Sequence, residues 1–349
     1  MTLSKIILIV PYFGSWPKWF PAFLLSCKNN NSIDWLIFTD CPFPKIVPSN
    51  VKFVNMNLDQ LLKLAGDKIG FPIIKNNYSQ VDLKPAYGII FEEYIKGYDF
   101  WGHCDLDVIW GDIRHFIAES VLQNHDIISS RKNNLSGHFN LWKNIPHINN
   151  LFKEIPEYQS MLSAENHTVF DETIMSTFLN INLLNNTNTG KIKLTWEIIG
   201  NLLALKANFA QKVLDKKIKP VKIYWPEQPL IDWPELDTNP LGWYWEEGKL
   251  FDKNNIEKFY IHFMQWKSKM KSIDFEIGEY PKQFKILRRG IWSKQIPINE
   301  LFFDVIQPRY IMKTMFFLKY VPQNMIKKFI KYLLLRNSHK RGLEILHTK

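Results

Sequence analysis

Cysteine is scarce in this chain. The three present, Cys27, Cys41 and Cys104, are an odd number without the spacing of a metal site, which argues against a disulfide framework and predicts a reduced, cytosolic setting. No uncharged apolar run approaches the roughly 20 residues needed to cross a bilayer, so no spanning helix is expected. A charged region followed by a long apolar run and a cleavage site is missing from the N-terminus, so no secretory leader is read there. Repeats are missing too, and low complexity is confined to Asn-rich loops such as Asn29–Asn31.

Acidic charge is almost absent from the end of the chain. From Gln307 onward ten basic residues face the single acid Glu344, a balance of +9 out of the +10 carried by the whole protein. The basicity therefore belongs to a tail and does not describe the main domain. In that tail Ile326, Phe329, Ile330, Leu333 and Leu334 recur at helical spacing, while Lys327, Lys328 and Lys331 fall on other faces. This is a basic amphipathic helix, suited to an anionic membrane surface or to docking on the domain. A nucleic-acid partner is not expected, because no known nucleic-acid motif accompanies the charge.

At 349 residues the chain is long enough for one large α/β domain or two modest ones. Lys5–Val10 is a continuous apolar, β-branched run of the kind buried on both faces of a parallel sheet. The turn Pro11-Tyr12-Phe13-Gly14 ends it, a helix follows over Trp19–Cys27, and further strands are read at Trp35–Thr39 and Val51–Val54 before a helix at Leu58–Ala65. This β-α-β-β rhythm predicts a doubly wound sheet whose ligands sit beyond the carboxyl ends of its strands, where Tyr12, Phe13, Gly14 and Asp40 fall. Asp82 to Gly88 is read as the start of a helix running to about Lys96, with Asp82 as N-cap and Pro85 in the first turn. The stretch from Lys219 to Trp245, rich in Trp and Pro, is read as an irregular covering loop near the site.

The chain is organised around Tyr98–Asp112, an apolar and aromatic run holding Asp105 and Asp107. In an extended backbone these two carboxylates would share a face, roughly 7 Å apart at their Cα atoms. Acids so placed in an apolar setting are costly unless a cation or hydrogen bonds compensate them, and together they can hold a divalent cation by oxygen. Lys84, about one helix and one strand earlier, could face a diphosphate near that cation. Asp171 and Glu172 open a further predicted helix, where caps are as ordinary a reading as catalysis. His262 lies in a short apolar strand, with Lys267 five positions later as a possible phosphate contact.

In order, these residues resemble a glycosyltransferase of the GT-A fold. More narrowly, Lys84, Asp105-Leu106-Asp107, His138-Phe139-Asn140, Asp171-Glu172 and His262 with Lys267 are similar to the family of glycogenin and the bacterial lipooligosaccharide galactosyltransferases. The segment Asp82–Asp112 also resembles uncharacterised bacterial polysaccharide-cluster proteins assigned to glycosyl transfer. The resemblance covers about residues 1–270 and implies a Rossmann-like α/β domain over residues 1–290. That domain would have a mixed, mostly parallel central sheet flanked by helices, with residues 291–349 as a C-terminal basic helical tail.

It further implies Mn²⁺ or Mg²⁺ held by Asp105, Asp107 and His262, and a nucleotide sugar, a UDP-sugar, as donor. Pro11, Tyr12, Phe13, Gly14 and Asp40 would border the nucleoside. Lys84 and Lys267 would meet the diphosphate, Asp105 would lie near the metal and the ribose, Tyr87 would line the donor site, and His138 and Asn140 would touch the donor sugar or the acceptor. Asp171 or Glu172 would act as general base, or stabilise or attack the sugar from its opposite face. The acceptor implied is a glycan or lipid-linked glycan of a bacterial surface, at the cytoplasmic face of the inner membrane. Glu172 stands where that family has Gln, and Met264–Ser268 replaces its late Lys-Pro-Trp segment, which leaves the stereochemical course open. A metal-dependent nucleotidyltransferase or phosphohydrolase, or a non-catalytic sugar-binding assembly protein, is the competing reading of the same acids.

For the tail, removing the residues after Pro308 is expected to leave a soluble domain that no longer sediments with anionic vesicles. Vesicle binding unchanged by the truncation would defeat the membrane reading.

Overall fold

The computed structural model describes residues 2–131, 134–179, 220–224, 230–231, 242–252 and 254–297. The expected basic helix at 326–334 and most of the expected covering loop at 219–245 lie outside them.

Strand β1 (Ile6–Pro11) is the apolar run read from the sequence, and its first five residues are buried. Helix α1 (Phe20–Asn29) follows, with Pro21 in the first turn, where a missing N–H leaves no bond unmade. Next come β2 (Ile33–Thr39), β3 (Val51–Asn55) and α2 (Leu58–Ile69). Reciprocal bonds between Asn57 and Gln60 cap the start of α2, and Gly70 ends it at φ 96°. Beyond these lie β4 (Phe100–Cys104), β5 (Val108–Trp110), β6 (Ile127–Ser129), β7 (Phe139–Lys143) and β8 (Ile223–Tyr224).

Seven of these strands form one sheet in the order β3-β2-β1-β4-β7-β6-β8. Four of its six pairings are parallel, and only β7 runs against its neighbours, so the sheet is mixed and mostly parallel. Alternation along β1 divides the core in two. Ile7 and Ile9 pack with Leu36, Phe38, Trp101 and Trp142 on one face, while Ile6, Leu8 and Val10 pack with Phe23, Trp35 and Leu141 on the other. This is the α/β architecture that the GT-A resemblance implied.

The rest of the chain builds smaller sheets from β9 (Leu230–Ile231), β10 (Trp243–Glu246), β11 (Lys249–Phe251), β12 (Glu257–Lys258), β13 (Tyr260–His262), β14 (Ser272–Ile273), β15 (Gln283–Leu287) and β16 (Gly290–Trp292). Their orders are β5-β13-β9 and β12-β11-β10-β15-β16-β14.

Three sequence readings are corrected. Asp82 to Lys96 is not one α-helix: a 3₁₀ segment, Ser79–Ala86, runs into a single α turn, Tyr87–Ile90. Pro85 has no N–H to donate, and the Asp82 carboxylate is engaged by distant backbone N–H groups, those of Thr168 and Phe170, instead of capping a helix. Asp105 and Asp107 do not lie on one strand; they occupy a bend between β4 and β5. The chain must turn there because β4 pairs with β1 and β7 in the large sheet, whereas β5 leaves it to pair with β13. Finally, 219–245 is less irregular than expected, since β8, β9 and the start of β10 fall within it.

Gly102, at the centre of β4, shows how closely the sheet is packed beneath this bend. A Cβ there would lie 2.4 Å from the Asn140 carbonyl oxygen and within 2.8 Å of Leu8 and Leu141 side-chain carbons. Gly102→Ala is therefore expected to destabilise the protein by about 1–3 kcal/mol, read as a lower urea midpoint.

Candidate active site

Strand register gathers the acidic residues and the imidazole. In the β5–β13 ladder His262 pairs with Val108, and the Phe263 amide donates to the Asp107 carbonyl at 3.0 Å. Side chains 155 positions apart in sequence are thereby set next to each other, with His262 Nε2 3.4 Å from Asp107 Oδ2. One ligand atom from each of Asp105, Asp107 and His262 falls within 4.8 Å of the others.

Two lysines close on this group. Lys267 Nζ lies 2.8 Å from Asp107 Oδ2, and Lys84 Nζ lies 2.7 Å from Asp105 Oδ1. Burial pushes the Asp107 carboxyl up, but His262 and Lys267 outweigh it and hold the group well below the usual carboxylate range. Lys84 shows the opposite balance: burial pulls its ammonium down, and the Asp105 and Asp171 carboxylates raise it overall. Lys267 is likewise raised, with burial overcome by Asp107.

These residues suit a divalent cation. Asp107 is 2% exposed and its Oδ1 has no hydrogen-bond partner among the described residues, an orphaned acceptor of the kind a cation satisfies. Two carboxylates and an imidazole match the oxygen-rich, mixed preference of Mn²⁺ and also admit Mg²⁺.

Lys84 joins this group to the neighbouring segments. Its ammonium also donates to the Gly137 carbonyl at 2.6 Å, and the Gly137 amide donates to Glu172 Oε1 at 2.7 Å. Glu172 also faces Arg131 at 3.8 Å. Asp171 is buried, with Oδ1 lacking a hydrogen-bond partner among the described residues. Burial first, then the Glu172 and Asp82 charges, push it up to about 7 against the pull of Lys84 and His167. Asp171 and Glu172 sit in a π turn, Phe170–Ile174, that continues as the short α-helix Met175–Phe178. Tyr87 is fully buried near Lys84, and its hydroxyl has no hydrogen-bond partner among the described residues.

His138 and Asn140, expected at the sugar or the acceptor, are both buried. His138 is 3% exposed, stacks on His262 at 3.8 Å and shares a 2.7 Å hydrogen bond with the Tyr260 hydroxyl. Burial and the neighbouring His262 drive its imidazole well below the ordinary value, so it is neutral. Asn140 is fully buried and both ends of its amide engage the Ser136 backbone. Both side chains brace the loop that carries Gly137.

The residues expected at the nucleoside gather at the ends of β1 and β2. Pro11 closes β1, and the Tyr12 amide continues the ladder to the Phe38 carbonyl. Gly14, at φ 107°, donates its N–H to Asp40 Oδ1 at 2.7 Å, which ties the two strand ends together. Tyr12 stacks on Trp16, and Trp16 on Phe20. Burial and Cys41 raise the Tyr12 hydroxyl, and Lys267 and Asp107 also act on it, so this edge adjoins the acids. Phe13 packs against the core and is only partly exposed. Sequence reasoning missed Lys75, Arg131, His167 and Tyr260: the last three act through partners distant in sequence, and Lys75 meets Asp82, seven positions on, at a spacing that carries no local signal.

Since Lys267 sits where a cation would approach Asp107, Lys267→Ala is expected to tighten Mn²⁺ binding by the nucleotide-free protein roughly tenfold. Isothermal titration calorimetry with Mn²⁺ alone measures it, and unchanged or weaker binding would contradict the competition.

No curated protein matches the chain in sequence. Among solved structures, it is similar to a galactosyltransferase, LgtC, in complex with donor and acceptor sugar analogues, at 11% identity and a TM-score of 0.28, over 63% of this chain and 86% of that one. It is also similar to the apo form of mouse xyloside xylosyltransferase 1, at 11% identity and a TM-score of 0.27, over 45% of this chain and 71% of that one. A protein-family model matches residues 8–295 and so spans the large sheet, the acidic bend and the β5–β13 ladder. The chain belongs to that family, the family of unknown function DUF6625.

Proposed function

We propose that this protein is a metal-dependent glycosyltransferase that moves a hexose from a nucleotide diphosphate donor, a UDP-sugar, to a hydroxyl of a bacterial surface glycan. The observation that carries the reading is the convergence of Asp105, Asp107 and His262 with two lysines on one bend beyond a mostly parallel sheet. A Mn²⁺ or Mg²⁺ held by those three side chains would offset the negative charge that develops on the departing diphosphate.

Lys84 and Lys267 each neutralise a carboxylate in the present arrangement, and phosphate oxygens offer them equivalent charge-assisted partners. Tyr12 and Asp40 border the nucleoside side, next to the metal group. Asp171 supplies a buried carboxylate with an unpartnered oxygen, and it would take the acceptor proton or support the sugar from its far face. Both roles require the ionised form. The acceptor is a glycan or lipid-linked glycan, reached at the inner-membrane surface through the basic tail.

Asp107→Ala and Asp171→Asn are each expected to lower turnover of a UDP-hexose with Mn²⁺ by about 10²-fold or more, measured as nucleotide release. In the unsubstituted enzyme the rate should climb with pH through about 7, as the raised Asp171 carboxyl loses its proton. Full turnover in Asp107→Ala would sink the metal reading, and NMR of the product anomer identifies which role Asp171 plays.

A further inference from the structure

Behind Asp171 lies a second charged cluster that the reaction does not use directly. Asp82 is fully buried, and both its oxygens are occupied. Oδ1 accepts from the Phe170 amide at 2.9 Å and faces His167 Nδ1 at 2.9 Å. Oδ2 accepts from the Thr168 amide at 2.8 Å and from Lys75 Nζ at 2.9 Å. The same ammonium donates to the carbonyls of Met161 and Asn166, at 3.1 and 3.2 Å. One buried ion pair thus fastens the segment 161–170 to the 3₁₀ segment that carries Lys84.

That segment needs fastening. Val169 has φ 52°, a left-handed conformation that a β-branched residue adopts only under constraint. It is followed at once by the π turn that presents Asp171, a wide turn of the kind found at functional sites. Ligand atoms of Asp82, His167 and Asp171 also fall within 4.8 Å of one another, the spacing of a metal site. The chemistry argues otherwise, because Asp82 already holds two backbone N–H groups and an ammonium and faces an imidazole, leaving no acceptor for a cation.

We propose that Asp82 is a positioning residue: with Lys75 and His167 it clamps the 166–170 loop and so fixes the place and the electrostatic surroundings of Asp171. Its relevance to turnover rests on the proposed role of Asp171. Because Asp82 and Lys84 share the 3₁₀ segment, one rigid piece of chain sets both Asp171 and the ammonium that binds Asp105 and Gly137. The groups that face Asp171 are Lys84, Glu172, Asp82 and His167, and those that face His167 are Asp82, Asp171 and Glu172, with Arg131 beyond Glu172. The Asp82 carboxylate beside it raises the half-buried His167 imidazole, so it is more readily cationic than an ordinary histidine.

The test is carboxyl ¹³C NMR of the full chain without ligands, with the Asp171 resonance assigned through Asp171→Asn. His167→Gln removes a cation and is expected to move the Asp171 titration to higher pH. Adding Asp82→Asn removes an anion and is expected to bring it back down, each step by about half a unit or more. A purely structural contact would not give shifts of opposite sign. Hydrogen exchange of the Thr168 and Phe170 amides should accelerate about tenfold or more in Asp82→Asn, with β1 and β4 unaffected.

An unmoved Asp171 titration together with protected amides would overturn the clamp. Should the variants carrying Asp82→Asn fail to fold, His167→Gln alone decides, by the upward shift or its absence. Turnover separates this inference from the proposed function. Shifts as expected with an active Asp171→Asn variant leave the clamp standing and remove the role of Asp171. An inactive Asp171→Asn variant with no shift in His167→Gln removes the clamp alone.

Discussion

A carboxylate shut away from water is tolerated only beside positive charge, and Asp107 is such a carboxylate. Its surroundings can be understood as the answer to that constraint. The β5–β13 ladder brings His262 to it, the short turn after β13 brings Lys267, and Asp105 lies close enough to share a cation. Were the ladder shifted by one residue, His262 would project to the other face and the buried charge would lose a partner.

Lys84 extends the same logic away from the bend. It holds Asp105 and the Gly137 carbonyl and lies under the influence of Asp171, so three segments distant in sequence meet at one ammonium. The neutral imidazoles of His103 and His138, both driven down by burial and neighbouring cations, pack around it without adding charge. Polar satisfaction separates two layers. Tyr87, Asp107 and Asp171 each keep a buried oxygen with no hydrogen-bond partner among the described residues, whereas both Asp82 oxygens are occupied.

Periodicity made the N-terminal β-α-β-β segment of the fold legible. The Lys5–Val10 run, the Pro-Tyr-Phe-Gly turn and the following helix are local patterns, and the structure places β1, α1, β2 and β3 within a few residues of where they were read. Local patterns misled where distant partners competed. Asp82 has the look of a helix cap, but the amides of Thr168 and Phe170 claim it. The spacing of Asp105 and Asp107 fits a strand, but β4 and β5 belong to different sheets and the acids sit in the bend between them. His138 and Asn140 were picked out by a motif, and the structure buries both against Ser136.

By itself the sequence determined the apolar runs that must become buried strands, the capped helix at Leu58 and the presence of acids where acids are costly. These follow from side-chain period and local hydrogen bonding, which need no knowledge of the rest of the chain. Only the tertiary structure decided which cations meet which carboxylates: Lys84 with Asp105, Lys267 and His262 with Asp107, Lys75 and His167 with Asp82. The physical reason is that Coulomb energy depends on distance and burial, and both are set by strand register and packing between segments far apart in sequence.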